Sequence, residues 1–141
     1  MIYTALTKKA MKICFEAHKD QVDKNDMPYV FHPFHLAEQM DDEYSVTTAL
    51  LHDVVEDTDI TFEYLQSVEI PNKVIDALRL LTHDDAVPYL DYVKNIKHNS
   101  IARKVKLADL IHNSDLSRLD TVTDKDLQRV DKYNKAMEIL K

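Results

Sequence analysis

Residues 45–58 read SVTTALLHDVVEDT, and the fold turns on them. Val46, Ala49, Leu50, Leu51, Val54 and Val55 fall on most sides of a helix rather than along one stripe. That is the pattern of a helix buried at the centre of a bundle, and it predicts one from about Ser45 to Glu56. His52 and Asp53 stand inside it. Burying them without partners would cost several kcal/mol, and a divalent cation would remove that cost. Glu56 lies four residues after His52, and Asp57 four after Asp53, so both carboxylates fall one turn further along the same side. Two neighbouring carboxylates resist ionising together, which suits an acid–base pair working beside a metal.

The helical period continues on both sides of this stretch. Leu6, Ala10, Ile13, Cys14 and Ala17 form a first stripe, which makes the only cysteine a packing residue. A polar loop, 20–31, follows. Pro33 is expected to open a second helix, running through Met40. Thr61 is placed to cap a short helix ending near Ser67. Pro71 and Pro88 each open another, the second covering 89–97. A seventh is predicted from Ser100 to about Leu119, with Ile101, Val105, Ala108 and Ile111 inward. The last begins at Asp124, behind a Thr123–Asp126 capping box, with Leu127, Val130, Tyr133, Met137 and Leu140 along one side. The expectation is an all-α bundle of about eight helices, a single domain over residues 1–141.

Composition narrows the chemistry. The chain has 141 residues and no glycine, so phosphate sites built on glycine-rich loops are excluded. Helix stops must fall to residues that tolerate left-handed backbone, and Asn25-Asp26, Asp41-Asp42, Asp84-Asp85 and His98-Asn99 sit where stops are expected. A net charge of −7 disfavours DNA or RNA as a partner, so attraction for a phosphate ester must come from a metal and a few lysines. No apolar run approaches membrane-spanning length. The N-terminus has no signal-peptide core, and one cysteine suits a reducing compartment; a cytoplasmic protein is expected.

Two further segments supply metal-ligating types. His32 precedes Pro33. In KLADLIHN, 106–113, Asp109 interrupts a core-facing pattern, and Asn113 follows it by one turn. With His52 and Asp53 they make a set of two imidazoles and two carboxylates, which leaves positions for water on Mn²⁺, Fe²⁺, Co²⁺ or Zn²⁺. His18, His35 and His112 are read as hydrogen-bonded or supporting groups outside that set, and His83 and His98 as solvated.

The ordered set HP, HDVVEDT and KLAD-x-x-HN resembles the HD superfamily, specifically the hydrolase domain of RelA/SpoT-like alarmone proteins and their small single-domain relatives. The similarity runs from about Ala17 through Leu119. It implies His32, His52, Asp53 and Asp109 as ligands of a divalent metal, usually Mn²⁺. It also implies Glu56 and Asp57 as the catalytic pair acting on water, and Asn113 as a substrate contact. In the loop that the family writes AHxGQxRKxGxPYIxHP, this chain has AHKDQVDKNDMPYVFHP. Lys24 and Pro28-Tyr29 match, and Lys24 is expected to hold phosphate charge. Asp20 and Asn25 are read as replacing two glycines. Asp23 stands where the family has an arginine that packs on guanine; an anion there repels polyphosphate and cannot stack as guanidinium does. The resemblance implies a metal-dependent phosphohydrolase acting on a small nucleotide substrate, with removal of the 3′-pyrophosphate of ppGpp as precedent. The alternatives are a nucleotidase or nucleotide pyrophosphatase of other base preference, and an HD module that binds a nucleotide without turnover.

Overall fold

The computed structural model describes residues 1–141, and every regular element in it is helical. The helices are α1 (Ala5–His18), α2 (Phe31–Glu38), α3 (Glu43–Leu51), α4 (Val54–Asp57), α5 (Phe62–Ser67), α6 (Asn72–Leu81), α7 (Tyr89–Ile96), α8 (Ser100–Asn113) and α9 (Asp124–Leu140). A 3₁₀ turn, Leu116–Arg118, follows α8. None is long and apolar enough to cross a membrane.

Helix α3 is the centre. Every residue from Ser45 to Leu51 is buried, and the helix packs against α1, α2, α6 and α8. Its polar side chains bond locally, as where Thr47 Oγ1 donates to the Glu43 carbonyl at 2.8 Å. Cys14 is fully buried in the same core, and burial pushes its thiol up to about 12, so it packs and does not react.

Several expected boundaries move, each for a local reason. The central helix does not run through to Glu56; it stops at Leu51 and resumes at Val54, which turns eight expected helices into nine. His52 and Asp53 occupy the break, with Asp53 at φ −105°, ψ 0° in the bridge region between helix and strand. Helix α2 begins two residues before Pro33. Proline is tolerated there because the first-turn N–H groups have no helical partner. Helix α8 ends at Asn113, not near Leu119. Ile111, expected inward, is exposed, as is Leu127 of the last helix's stripe; Ile111 lies two residues past buried Asp109 and therefore on the far side of α8. The Thr61 cap and the Thr123–Asp126 capping box form as expected.

Left-handed backbone occurs at two residues, Asp26 (φ 64°) and Glu69 (φ 66°). Asp26, rather than Asn25, thus does the work of the loop's missing second glycine. Asp42 and Asn99 instead cap the helices that follow them. Glu69 ends α5 in a Schellman motif: its N–H donates to the Gln66 carbonyl and the Ile70 N–H to that of Leu65, both at 3.0 Å. Left-handed backbone costs a residue with a side chain about 1–2 kcal/mol, while glycine adds about 0.4–1 kcal/mol of unfolded-chain entropy. Glu69→Gly is therefore expected to raise the urea midpoint slightly, and Glu69→Val to lower it; the reverse order would contradict this cap.

Candidate metal centre and adjoining cavity

Three segments meet at one point. His32 comes from the first turn of α2, His52 and Asp53 from the break after α3, and Asp109 from the buried face of α8. His32 Nε2 lies 2.9 Å from Asp109 Oδ1, and His52 Nε2 lies 3.5 Å from the same oxygen. The ligand-type atoms of His32, His52 and Asp109 all fall within 4.8 Å of one another, and all three residues are buried. Asp53 stands at the edge of this group, its Oδ2 2.9 Å from His52 Nε2.

The hydrogen bonds decide what these atoms can hold. His52 Nδ1 is 2.7 Å from the Ala49 carbonyl oxygen, which can only accept, so the ring proton sits on Nδ1. The neutral ring then turns a lone pair at Nε2 toward two carboxylates. That atom is buried and has no hydrogen-bond partner. An electron pair among oxygens requires a cation between them, and the His32–His52–Asp109 cluster could hold a metal. A proton can meet the same demand: burial opposes charge on His52, yet the Asp53 and Asp109 carboxylates outweigh it and hold its pKa well above the ordinary histidine range.

Asp109 is gripped at both oxygens. Lys106 Nζ donates to Oδ2 at 2.9 Å, and Asn113 Nδ2 to Oδ1 at 3.0 Å. Burial opposes its ionisation, but Lys106 and the two imidazoles hold it well below the ordinary carboxylate range. Tyr29 OH donates to Asp53 Oδ2, fixing that carboxylate as well.

Asp53, Glu56 and Asp57 form a second trio whose oxygens lie within 4.8 Å of one another, so Asp53 sits between the two groups. Glu56 and Asp57 reach solvent. Partial desolvation raises both above the ordinary carboxylate value, and the charge of Asp53 pushes them further. Glu56 Oε1 accepts from the His83 backbone N–H at 2.8 Å. His83, expected to be solvated, is half-buried, with Nε2 2.7 Å from the Val87 carbonyl oxygen.

A cavity of about 350 Å³ opens beside the centre. Tyr29, His32 and Asn113 line it, and Lys24, Arg118 and Arg129 give it positive charge. Lys24 is exposed and lies 3.8 Å from Asp126 Oδ1, the oxygen that also pairs with Arg129. Asp23 lines the cavity too, though its charge is shared. Oδ1 accepts the backbone N–H of Asn25 (2.8 Å) and of Met27 (3.1 Å), and Oδ2 lies 3.7 Å from Arg118.

Sequence reasoning missed Lys106, Arg118, Arg129 and the bond from Tyr29. Lys106 was within reach, being three residues before Asp109 on one helical face. The two arginines carry no local signal, because only the packing of α9 and of the 3₁₀ turn against the loop brings them to the cavity.

No family model matches the chain. A Danio rerio protein named guanosine-3′,5′-bis(diphosphate) 3′-pyrophosphohydrolase MESH1 is 35% identical over 144 residues, covering 92% of this chain and 79% of that protein. The Xenopus tropicalis protein of the same name is 34% identical, over 97% of this chain and 84% of its own. Among solved structures, that of a metazoan ortholog of SpoT that hydrolyzes ppGpp matches with a TM-score of 0.78 at 27% identity, over 99% of this chain and 85% of that one.

Removing one partner of a buried ion pair typically costs about 3–5 kcal/mol, whereas an exposed pair is screened by water and contributes little. Asp109→Ala, which strands the Lys106 ammonium, is expected to show the larger loss in urea unfolding of the metal-free protein. Glu16→Ala, which breaks the exposed Glu16–Lys19 pair, should show the smaller. Equal losses would mean that Lys106 finds water instead.

Proposed function

The chain belongs to the guanosine-3′,5′-bis(diphosphate) 3′-pyrophosphohydrolase family, and we propose that it removes the 3′-pyrophosphate of ppGpp with a divalent cation, Mn²⁺, held by His32, His52, Asp53 and Asp109. One observation carries this most directly: the buried, unpartnered Nε2 of His52 faces two carboxylates, beside a cavity that His32 lines and to which Lys24, Arg118 and Arg129 bring positive charge against Asp23 and Asp115. When bound, the cation supplies Lewis acidity, making a water easier to deprotonate and drawing charge from phosphate oxygens.

The chain's own groups then divide the remaining work. Water attacks the phosphorus next to the ribose and the bond from that phosphorus to O3′ breaks, so O3′ of GDP is the leaving group and the water oxygen ends in the released pyrophosphate. The proton that water loses passes through the Glu56–Asp57 pair to O3′. Raised pKa values fit these two carboxylates to that exchange near neutral pH. The His83 N–H holds Glu56 Oε1 and leaves its other oxygen for the proton. Lys24, assisted by Arg118 and Arg129, offsets phosphate charge. Asn113 orients Asp109 from the cavity wall, where it meets substrate.

Asp23 in the cavity wall favours a second reading, in which the nucleotide carries another base. An Mn²⁺-loaded sample should release GDP and pyrophosphate from ppGpp, and a panel of other nucleotides run beside it tests the alternative. Turnover of another nucleotide with none of ppGpp would replace the substrate. Glu56→Gln combined with Asp57→Asn is expected to lower kcat about 10²–10⁴-fold while Mn²⁺ still binds; unchanged turnover would remove the pair from catalysis.

The pKa shifts set a pH signature. His52, raised on folding, stabilises the metal-free protein fully below the ordinary histidine value, and that contribution is lost as pH climbs through the raised one. Asp53 and Asp109, both lowered, contribute above the ordinary carboxylate value and lose their contribution as pH falls through the lowered ones. Binding of a cation at His52 Nε2 would require that nitrogen to be free of its proton, so the Tm increase on adding Mn²⁺ should be larger at pH 8.5 than at pH 6. An increase independent of pH would place the ion elsewhere.

A further inference from the structure

We propose that His112 is a positioning residue for His32: its Nδ1 accepts the His32 Nδ1–H and thereby directs the His32 Nε2 lone pair at the cation. This rests on the reading above in which His32 is a ligand. His32 Nδ1 and His112 Nδ1 are 2.7 Å apart, and the rings are within 5° of parallel, with centroids 5.0 Å apart. Two ring nitrogens at that distance must share one proton, since two lone pairs would repel and two N–H groups would clash. His32 Nε2 meanwhile faces Asp109 Oδ1. A ligand nitrogen must be unprotonated, so the shared proton belongs to His32 Nδ1 and the lone pair to His112.

The surroundings hold the His112 ring in place. His112 stands in the last turn of α8, which packs against α2, the helix that carries His32. Arg118 donates to the His112 carbonyl oxygen at 2.9 Å. His35 lies against the His112 ring, centroids 4.1 Å apart. The ring is thus clamped between two other imidazoles. His52 meets the same need differently, its Nδ1 held by the Ala49 carbonyl oxygen. Each imidazole of the centre therefore has one nitrogen anchored and the other presented, and an anchor of this kind typically accounts for about 10–100-fold in metal affinity.

Two substitutions separate the acceptor from the ring. His112→Phe keeps an aromatic ring against His32 and His35 but accepts nothing; His112→Asn restores an acceptor. Calorimetric titration of metal-stripped protein with Mn²⁺ should show binding about 10–100-fold weaker in His112→Phe and mostly recovered in His112→Asn. In the unsubstituted metal-free protein, ¹⁵N spectra should show a coupling across the His32–His112 hydrogen bond, a signature that packing alone does not produce. Unchanged Mn²⁺ affinity in His112→Phe, equal losses in both variants, or no such coupling would each overturn the positioning role while leaving the metal centre standing. If the unsubstituted protein binds no Mn²⁺, the metal centre falls and this role falls with it.

Discussion

A pocket of negative charge and unshared electron pairs, sealed inside helices, has to be balanced by positive charge. Asp53 and Asp109 bring two carboxylates to His32 and His52, and only Lys106 among the side chains bonded to them carries a permanent positive charge. The architecture serves this constraint. Helix α3 is buried from Ser45 to Leu51 and so delivers His52 to the centre of the bundle. The break at His52-Asp53 turns both side chains inward together, and α8 presses Asp109 against them from the opposite side. Partners outside the cluster, namely Ala49, Tyr29, Lys106, Asn113 and His112, use up the remaining hydrogen-bonding capacity and leave the ligand-type atoms pointing at one another.

The chain is acidic overall, yet its cavity is not. Lys24, Arg118 and Arg129 gather there, two of them drawn by Asp126. Local arrangement therefore overrides net charge in what this surface attracts, because screening limits the rest of the molecule to short range. The loop that forms the wall does so without glycine. Asp26 takes the left-handed position, and Asp23 spends one carboxylate oxygen on the loop's own N–H groups. Asn25 ties the loop to the far segment: its Nδ2 donates to the Arg118 carbonyl and its Oδ1 accepts the Asp120 N–H. Asp23 is thus a structural residue of the loop as well as a charge in the cavity.

The segments that converge on the cluster were legible because their signals are local. An all-round apolar helix and a carboxylate interrupting a core-facing stripe can each be read from a few neighbours. The break at His52-Asp53 was not legible, since no glycine or proline marks it. It exists because the His52 ring turns back to Ala49 and Asp53 adopts bridge-region backbone, choices that the converging groups reward. Ile111 was misplaced for a related reason: its spacing fits an inner face, but α8 buries the line through Ala102, Val105 and Asp109, and only the neighbouring helices select that line.

By itself the amino-acid order determined a glycine-free bundle of short helices, and the three motifs able to supply nitrogen and oxygen ligands. Periodicity, capping and donor chemistry act over a few residues and survive without knowledge of the rest. Which groups would touch was decided by the tertiary structure alone. His32 meets Asp109 across 77 positions and His112 across 80. Arg118 and Arg129 reach a cavity whose loop begins a hundred residues earlier. Such meetings depend on the angles at which helices pack, and those angles follow from how the whole core fills space.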